Sequence, residues 1–400
     1  MKPYKIVNDP IYGFISVPRG LFLDVLDHPW VQRLRRISQL GCSHLVYPGA
    51  MHTRFHHAMG AFHLMQNALN VLESKGTEIT ESEKEGARLA ILLHDVGHGP
   101  YSHALEGHLV NLSHESISRV LIEKLNEEFD GRLSTALEIF KGQYHKPFLN
   151  QLVASQLDMD RMDYLSRDSF YTGVAEGVIS YDRITLMLNT SQNQLVIEEK
   201  GIYSLEKFLT ARKLMYWQVY LHKTAVAAEK MLLSWLKRLK YLITNGNQPP
   251  VCPHLAKLLN LNSDPKIPDP WQDEFLQMDD INILYSLKES SKWKGDFILR
   301  ELAERFLNRR LFKIELSDEP AEKGRISQKI NKTAEVFGLT QEEAQYFVIS
   351  GEESNTAYRI HRDEILILKK DGAVVPYSEF PNQLYSSGKV IKHFLTYPQL

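Results

Sequence analysis

Apolar residues recur at helical spacing from about Leu21 to Asn245, and the clearest stretch is Ala87, Ala90, Ile91 and then His94, at i, i+3, i+4 and i+7. Thr80-Glu81-Ser82-Glu83 is a capping box that starts this helix, and Gly97, Gly99 and Pro100 stop it, so the helix is expected to carry His94 and Asp95. Before Leu21, turn signals and short alternations (Ile11, Phe14-Ile15, Val17) predict a small β-element, and Gln194 to Tyr203 reads as a hairpin interrupting the helices. A Pro- and Asn-rich stretch, Asn245 to Pro270, reads as a loop, with Cys252-Pro253-His254 inside it. Beyond it a helix (Phe297 to Arg309) mixes with strand-like runs (Leu311 to Leu316, Tyr346 to Ser350, Glu364 to Lys369). The expected fold is mostly α, with small β-hairpins and a smaller C-terminal α+β lobe. The expected division is 1–245 as the main domain, 246–270 as a loop and 271–400 as the lobe.

Composition narrows the class. With 43% hydrophobic and 24% charged residues over 400 positions, the chain is an ordinary globular protein with enough length for a large core. A formal charge of −2 argues against a protein that coats nucleic acid, while leaving a local basic patch open. Cys42 and Cys252 offer no disulfide framework. No apolar run approaches a membrane span and the N-terminus lacks a signal-peptide core, so a cytoplasmic protein is expected.

The candidate chemistry begins at His94-Asp95. Both are ionisable and His94 lies on the apolar stripe, so burial without a partner would cost several kcal/mol. A divalent metal accepts both an imidazole nitrogen and a carboxylate oxygen. More donors flank the pair: Thr53-Arg54-Phe55-His56-His57 upstream and Leu157-Asp158-Met159-Asp160-Arg161-Met162-Asp163-Tyr164 downstream. On a helix Asp160, Tyr164 and Asp168 share a face, and Asp163 is expected to point elsewhere. Nine of the sixteen histidines fall between His52 and His114, a density that scattered structural roles do not explain.

The order His57, His94-Asp95, Asp160 resembles that of the HD phosphohydrolase superfamily. With Val31 to Gly41, Tyr47-Pro48-Gly49-Ala50, Thr53 to His57, His94 to His103 and Asp160 to Asp168, the chain is similar to the HD-domain deoxynucleoside triphosphate triphosphohydrolases, and to their vertebrate branch without its sterile-alpha-motif domain. The resemblance runs from about Lys5 to Lys223 and fades beyond. It implies His57, His94, Asp95 and Asp160 as metal ligands, a mixed nitrogen and oxygen set suited to Mn²⁺, Fe, Zn²⁺ or, less naturally, Mg²⁺. His103 would be the general acid, oriented by Glu106, with His98 and His114 contacting phosphate. Arg54, Arg161, Tyr164 and Arg212 would hold the phosphate chain, although Arg161 replaces a family Lys. Gln39 and Asp168 would bind the sugar 3′-hydroxyl, and Leu40 with Tyr220 would crowd the 2′ position and disfavour ribonucleotides. Arg212, Tyr216, Tyr220 and Lys223 are expected on one helical stripe, with Tyr216 standing where the family has His.

The implied activity is metal-dependent hydrolysis of a dNTP to deoxynucleoside and inorganic triphosphate. Two alternatives stay open: action on a monophosphate or alarmone, and a non-catalytic nucleotide sensor or single-stranded nucleic-acid binder. Lys5, Asn8, Asp27, Gln32 and Arg35 match family positions that hold an activating guanine nucleotide, GTP or dGTP; alternatively Asp27-His28-Pro29 is only a helix N-cap and Arg35 a surface residue. The resemblance also implies a homo-oligomer, dimer or tetramer.

Overall fold

The computed structural model describes residues 3–261, 270–356, 364–380 and 389–400. The N-terminal alternation folds as an antiparallel hairpin of β1 (Tyr4–Asp9) and β2 (Gly13–Pro18). The period of two buries Ile15 and Val17 and leaves Ile6 and Phe14 exposed. Two short helices follow, α1 (Leu21–Asp27) and α2 (Pro29–Arg33). His28 is the residue that caps α2, its Nδ1 accepting from the Trp30 amide, whereas Asp27 ends α1.

Helices build the body. α3 (Arg54–Ser74) packs against α4 (Glu81–Leu93) and, across the site, against α8 (Met159–Thr172). The Thr80 capping box forms as expected: the Thr80 hydroxyl accepts from the Glu83 amide and the Glu83 carboxylate from the Thr80 amide. α4 ends one residue before His94, so His94 is its C-cap and Asp95 stands in the following turn, not on the helix. Between them in sequence lie α5 (His114–Glu128), α6 (Ser134–Phe140) and α7 (Pro147–Val153), which close one side of the bundle. The approach of α3 to α8 is close at Gly60, where a Cβ would stand 1.9 Å from an Asp163 carboxylate oxygen.

After α9 (Tyr181–Met187), a hairpin of β3 (Leu188–Ser191) and β4 (Gln194–Glu198) turns at Gln192 and Asn193, whose φ values are +49° and +60°. Gln194 to Tyr203 is therefore not a hairpin by itself. Its first half is the returning strand, and Ile202 already begins α10 (Ile202–Met215). α10 runs into a π-turn over Tyr216–Tyr220 and breaks before α11 (Lys223–Thr244), so the expected stripe from Arg212 to Lys223 is not one continuous helix.

The stretch expected as a loop contains α12 (Pro253–Asn260), with Cys252 at its N-cap position and Pro253 at its start, which overturns the loop reading of Cys252-Pro253-His254. Helices α13 (Pro270–Leu276), α14 (Asp280–Ser290) and α15 (Phe297–Leu307) follow, then β5 (Lys313–Ser317), α16 (Lys323–Phe337), α17 (Gln341–Ala344), β6 (Ile349–Thr356), β7 (Leu366–Leu368), β8 (Val374–Pro376) and β9 (Lys389–Tyr397). β9 lies between β5 and β6 in an antiparallel sheet. β7 pairs parallel with β4, tying the C-terminal region to the helical body, and Trp235, Phe306, Phe347 and Ile367 share one apolar core with Phe62 and Leu93. No helix among the described residues is long and apolar enough to cross a membrane.

Candidate metal centre and active site

His57 on α3, His94 at the end of α4 and Asp160 in the first turn of α8 converge on one point. His57 Nε2 lies 3.1 Å from Asp160 Oδ1 and 3.3 Å from His94 Nε2. Asp95 borders the group, with Oδ1 3.3 Å from His94 Nε2 and Oδ2 3.7 Å from His57 Nε2. The far nitrogens are occupied: His57 Nδ1 faces Asp163 Oδ2 at 2.7 Å and His94 Nδ1 faces the Ile91 carbonyl at 2.6 Å. Each imidazole is thereby held in the tautomer that turns an Nε2 lone pair inward, the arrangement that metal-ligating histidines require. Two such nitrogens and two carboxylates fit a divalent transition metal.

Asp163 corrects the sequence expectation. It does not point away from the site but sits behind His57, and it also accepts from Arg167 at 2.9 and 3.0 Å. Arg167, wholly buried, reaches Asp9 at the end of β1 at 2.9 Å. A spacing of three residues from Asp160 is close enough on a helix for the two carboxylates to flank one imidazole, a signal the face argument passed over.

The electrostatics follow from burial and neighbours. Burial opposes the charged form of His57, yet Asp160 and Asp163 outweigh it and lift its pKa to about 10. Burial also disfavours the Asp95 carboxylate, but His94 and Arg54 hold it well below the usual range. Asp158, which caps α8 and pairs with Arg161, is raised by burial.

A second cluster stands beside the first. His98, buried, stacks on His114 at 3.9 Å, and the exposed His103 lies edge-on to both. Glu106 accepts from both partners, Oε2 lying 2.7 Å from His103 Nδ1 and Oε1 2.6 Å from His114 Nδ1. The expected pairing of Glu106 with His103 is present, and its second contact to His114 was not foreseen. Tyr101 and Ser102, which lead into His103, adopt φ values of +56° and +51°. They are pinned by Asp280, which accepts from the Tyr101 amide at 2.7 Å, and by the Ser102 hydroxyl, which donates to the Ser38 carbonyl.

A cavity of about 800 Å³ opens on His94, Asp95, His114 and Asp160, and Arg161 and Arg212 line it, with Arg119, Lys141, Gln143 and Gln156 not anticipated from sequence. Arg212 is buried, and its Nε and Nη1 have no hydrogen-bond partner among the described residues; the same holds for Arg161 Nε. Arg54 differs: its guanidinium donates to Asp95 Oδ2 at 2.6 Å, to Ser102 Oγ at 2.9 Å and to the Gln39 carbonyl at 3.4 Å. The Asp168 carboxylate meets His52 Nε2 at 2.7 Å and accepts from the Tyr220 hydroxyl at 2.8 Å. Tyr164 packs edge-on to Tyr220, Leu40 is partly buried, and the buried Gln39 Oε1 lacks a partner among the described residues. The guanine-nucleotide candidates form two surface pairs: Lys5 with Asp27 at 3.5 Å, and Arg35 with Gln32 at 2.8 Å, the latter guanidinium lying over Phe55. Asn8 is exposed on β1.

The residues that bring these groups together coincide with two sequence profiles, the HD domain at 54–168 and the HD associated region at 179–247. An uncharacterised protein of Bacillus subtilis is 34% identical over 317 residues, covering 77% of this chain and 71% of that protein. The chain belongs to the HD-domain phosphohydrolase family. A phosphohydrolase from Bacteroides thetaiotaomicron has a crystal structure 48% identical to this HD phosphohydrolase, with a TM-score of 0.95 over 99% of this chain and 100% of that one. Human deoxynucleoside triphosphate triphosphohydrolase SAMHD1 is 29% identical over 288 residues, covering 60% of this chain and 46% of that enzyme. A Dictyostelium discoideum homologue of SAMHD1 is 33% identical over 255 residues. The chain spans about half the length of these two named triphosphohydrolases, 46% and 48%.

Proposed function

We propose that this HD phosphohydrolase cleaves dNTPs to deoxynucleoside and inorganic triphosphate. The observation that carries the reading is the buried Arg212, whose Nε and Nη1 are unpartnered in the wall of a cavity that also opens on His94, Asp95 and Asp160. A buried guanidinium with two nitrogens unpartnered among the described residues is costly, and a polyanionic phosphate chain supplies the missing acceptors. Relatives named as deoxynucleoside triphosphate triphosphohydrolases point to the same substrate class.

His57, His94, Asp95 and Asp160 would hold the metal, which when bound polarises a phosphoryl oxygen and activates water. Arg161 and Arg212 bind the phosphates. His103, with Nδ1 held by Glu106, delivers a proton from Nε2 to the departing sugar 5′-oxygen. Arg54 orients Asp95 through its 2.6 Å contact and so acts through a ligand as well as through its charge. Gln39 Oε1 is available to the sugar 3′-hydroxyl, while Tyr220 and Leu40 crowd the 2′ position and disfavour ribonucleotides.

The testing experiment is hydrolysis of the four dNTPs and GTP with Mn²⁺, Fe²⁺, Zn²⁺ and Mg²⁺, resolving products. Deoxynucleoside plus triphosphate is expected. Monophosphate plus pyrophosphate, or equal turnover of GTP and dGTP, rejects the reading, and faster turnover of a monophosphate or alarmone replaces it. The surface pairs Lys5–Asp27 and Gln32–Arg35, with Asn8, are proposed as contacts for a guanine-nucleotide activator in a homo-oligomer, Asp27 accepting from the base and the cations holding phosphate.

A further inference from the structure

We infer that Arg33 and Asp280 are positioning residues that fix the turn Val96–Ser102 to the α13–α14 junction, so that the C-terminal helices set where the His103 imidazole stands. The bracing of the turn is independent of the proposed substrate; its effect on rate rests on the proposed hydrolysis, with His103 as the proton donor.

Arg33 ends α2 and is 1% exposed. Its Nε donates to the Met278 carbonyl at 2.9 Å, its Nη1 to the Val96 carbonyl at 3.4 Å and its Nη2 to the His98 carbonyl at 2.7 Å. The guanidinium carbon lies 5.0 Å from the centre of the Phe275 ring in α13. No carboxylate pairs with Arg33 among the described residues, since the neighbouring Asp279 is taken by Arg36 at 2.5 Å. A buried cation held by carbonyls alone is a poor source of stability, because desolvation of the charge offsets what the contacts return. What it supplies is direction, since one planar fork of donors holds three carbonyls in a fixed arrangement.

Asp280, the first residue of α14, reaches the same turn. Its Oδ1 accepts from the Tyr101 amide at 2.7 Å, and its Oδ2 from the Ser38 amide at 2.9 Å and the Ser38 hydroxyl at 2.6 Å. Two side chains therefore hold the Val96 and His98 carbonyls and the Tyr101 amide. The turn also packs on α13, because a Cβ at Gly99 would stand 3.1 Å from the Phe275 ring. Tyr101 and Ser102, at φ +56° and +51°, occupy a sparsely populated region that the surroundings must impose.

The turn leads from Asp95 to His103, whereas His57, His94 and Asp160 belong to α3, the end of α4 and α8. Asp95 keeps its own tie to Arg54 at 2.6 Å. Loosening the brace therefore moves the proton donor and leaves the metal ligands in place, and a displacement of about 1 Å at a reacting group costs on the order of 10²-fold in rate.

The test compares Arg33→Lys, which keeps the charge and loses the fork, with Asp280→Ala and with Asp280→Asn, which keeps an oxygen for the Tyr101 amide. Two substrates are used with Mn²⁺: dTTP, whose sugar alkoxide needs a proton to leave, and bis(p-nitrophenyl) phosphate, whose phenolate leaves without one. For Arg33→Lys and Asp280→Ala, kcat for dTTP should fall about 10- to 100-fold at unchanged KM, while the ester rate holds. Asp280→Asn should recover most of the loss. Equal loss on both substrates means damage to the metal centre or the fold and overturns the positioning role, as does unchanged kcat in both variants. The Asp280 pair decides alone if Arg33→Lys does not fold. Amide hydrogen exchange reads the turn without substrate: in Arg33→Lys the Tyr101 amide should exchange faster, although its acceptor Asp280 is intact, while α3 and α8 keep their protection. Unchanged Tyr101 protection overturns the brace. Wild-type protein that cleaves no dNTP counts against the substrate reading and leaves exchange as the measure of the brace.

Discussion

Asp163 touches no expected substrate position, yet it decides how His57 presents its nitrogen. Asp163→Asn should weaken metal binding about 10- to 100-fold, the usual cost of losing such a partner, while helical content is kept; a metal titration followed by calorimetry checks it. Arg212 separates binding from stability. Arg212→Met removes a buried charge whose Nε and Nη1 lack acceptors among the described residues, so thermal stability should hold or rise, while kcat/KM for a dNTP falls on the order of 30- to 150-fold, equivalent to roughly 2–3 kcal/mol for a hydrogen bond to a charged group. The His57 pKa, raised to about 10 by Asp160 and Asp163 against burial, carries a pH signature. A raised folded-state pKa means that protonated His57 stabilises chelator-treated protein fully below about 6.5, the unfolded value, and that this contribution is lost as pH rises toward 10. A metal must displace that proton, so the rise in Tm on adding Mn²⁺ should grow between pH 6.5 and 9. Differential scanning calorimetry with and without metal reads it, and a metal increment independent of pH would contradict the assignment.

At the scale of elements, the site depends on how closely backbones meet. A Cβ at Gly97 would stand 2.3 Å from the Ser118 amide nitrogen and 2.4 Å from the His114 carbonyl, both in α5. Gly97→Ala should therefore push α5, and His114 with it, away from the turn that holds Asp95 and His98, costing about 1–3 kcal/mol and most of the activity. Chemical denaturation and dNTP hydrolysis measured together test this. The comparison is Thr80→Ala at the other end of α4, which removes a cap acceptor distant from the chemistry. It should cost about 1 kcal/mol and leave kcat unchanged.

For the whole molecule, the prediction concerns activation and assembly. If Asp27 receives a guanine base, dNTP hydrolysis by the wild type rises on adding GTP or dGTP, and light scattering shows a larger oligomer. Asp27→Ala should abolish both responses while basal metal binding persists, since Asp27 is exposed and its partner is Lys5. Unchanged rate and mass in the wild type would reduce the Lys5–Asp27 and Gln32–Arg35 pairs to surface contacts.

Local rules determined much of this. Helical periods, the Thr80 capping box and the alternation in β1–β2 are properties of neighbouring residues, and they emerge in the structure at those places. The HD family was legible because its His and Asp positions keep a fixed order, whatever the distances in space. Tertiary packing decided the rest. Asp163 turned toward His57 because α8 lies against α3 at Gly60, a contact between segments about a hundred residues apart that no helical wheel contains. The helix inside 246–270 likewise buries Leu255, Leu258 and Leu259 in the core shared with the helical body, a partner surface that its local composition does not contain. The single Glu106 serving two histidines belongs with them, since only the fold brings the start of α5 back over the turn that carries His103.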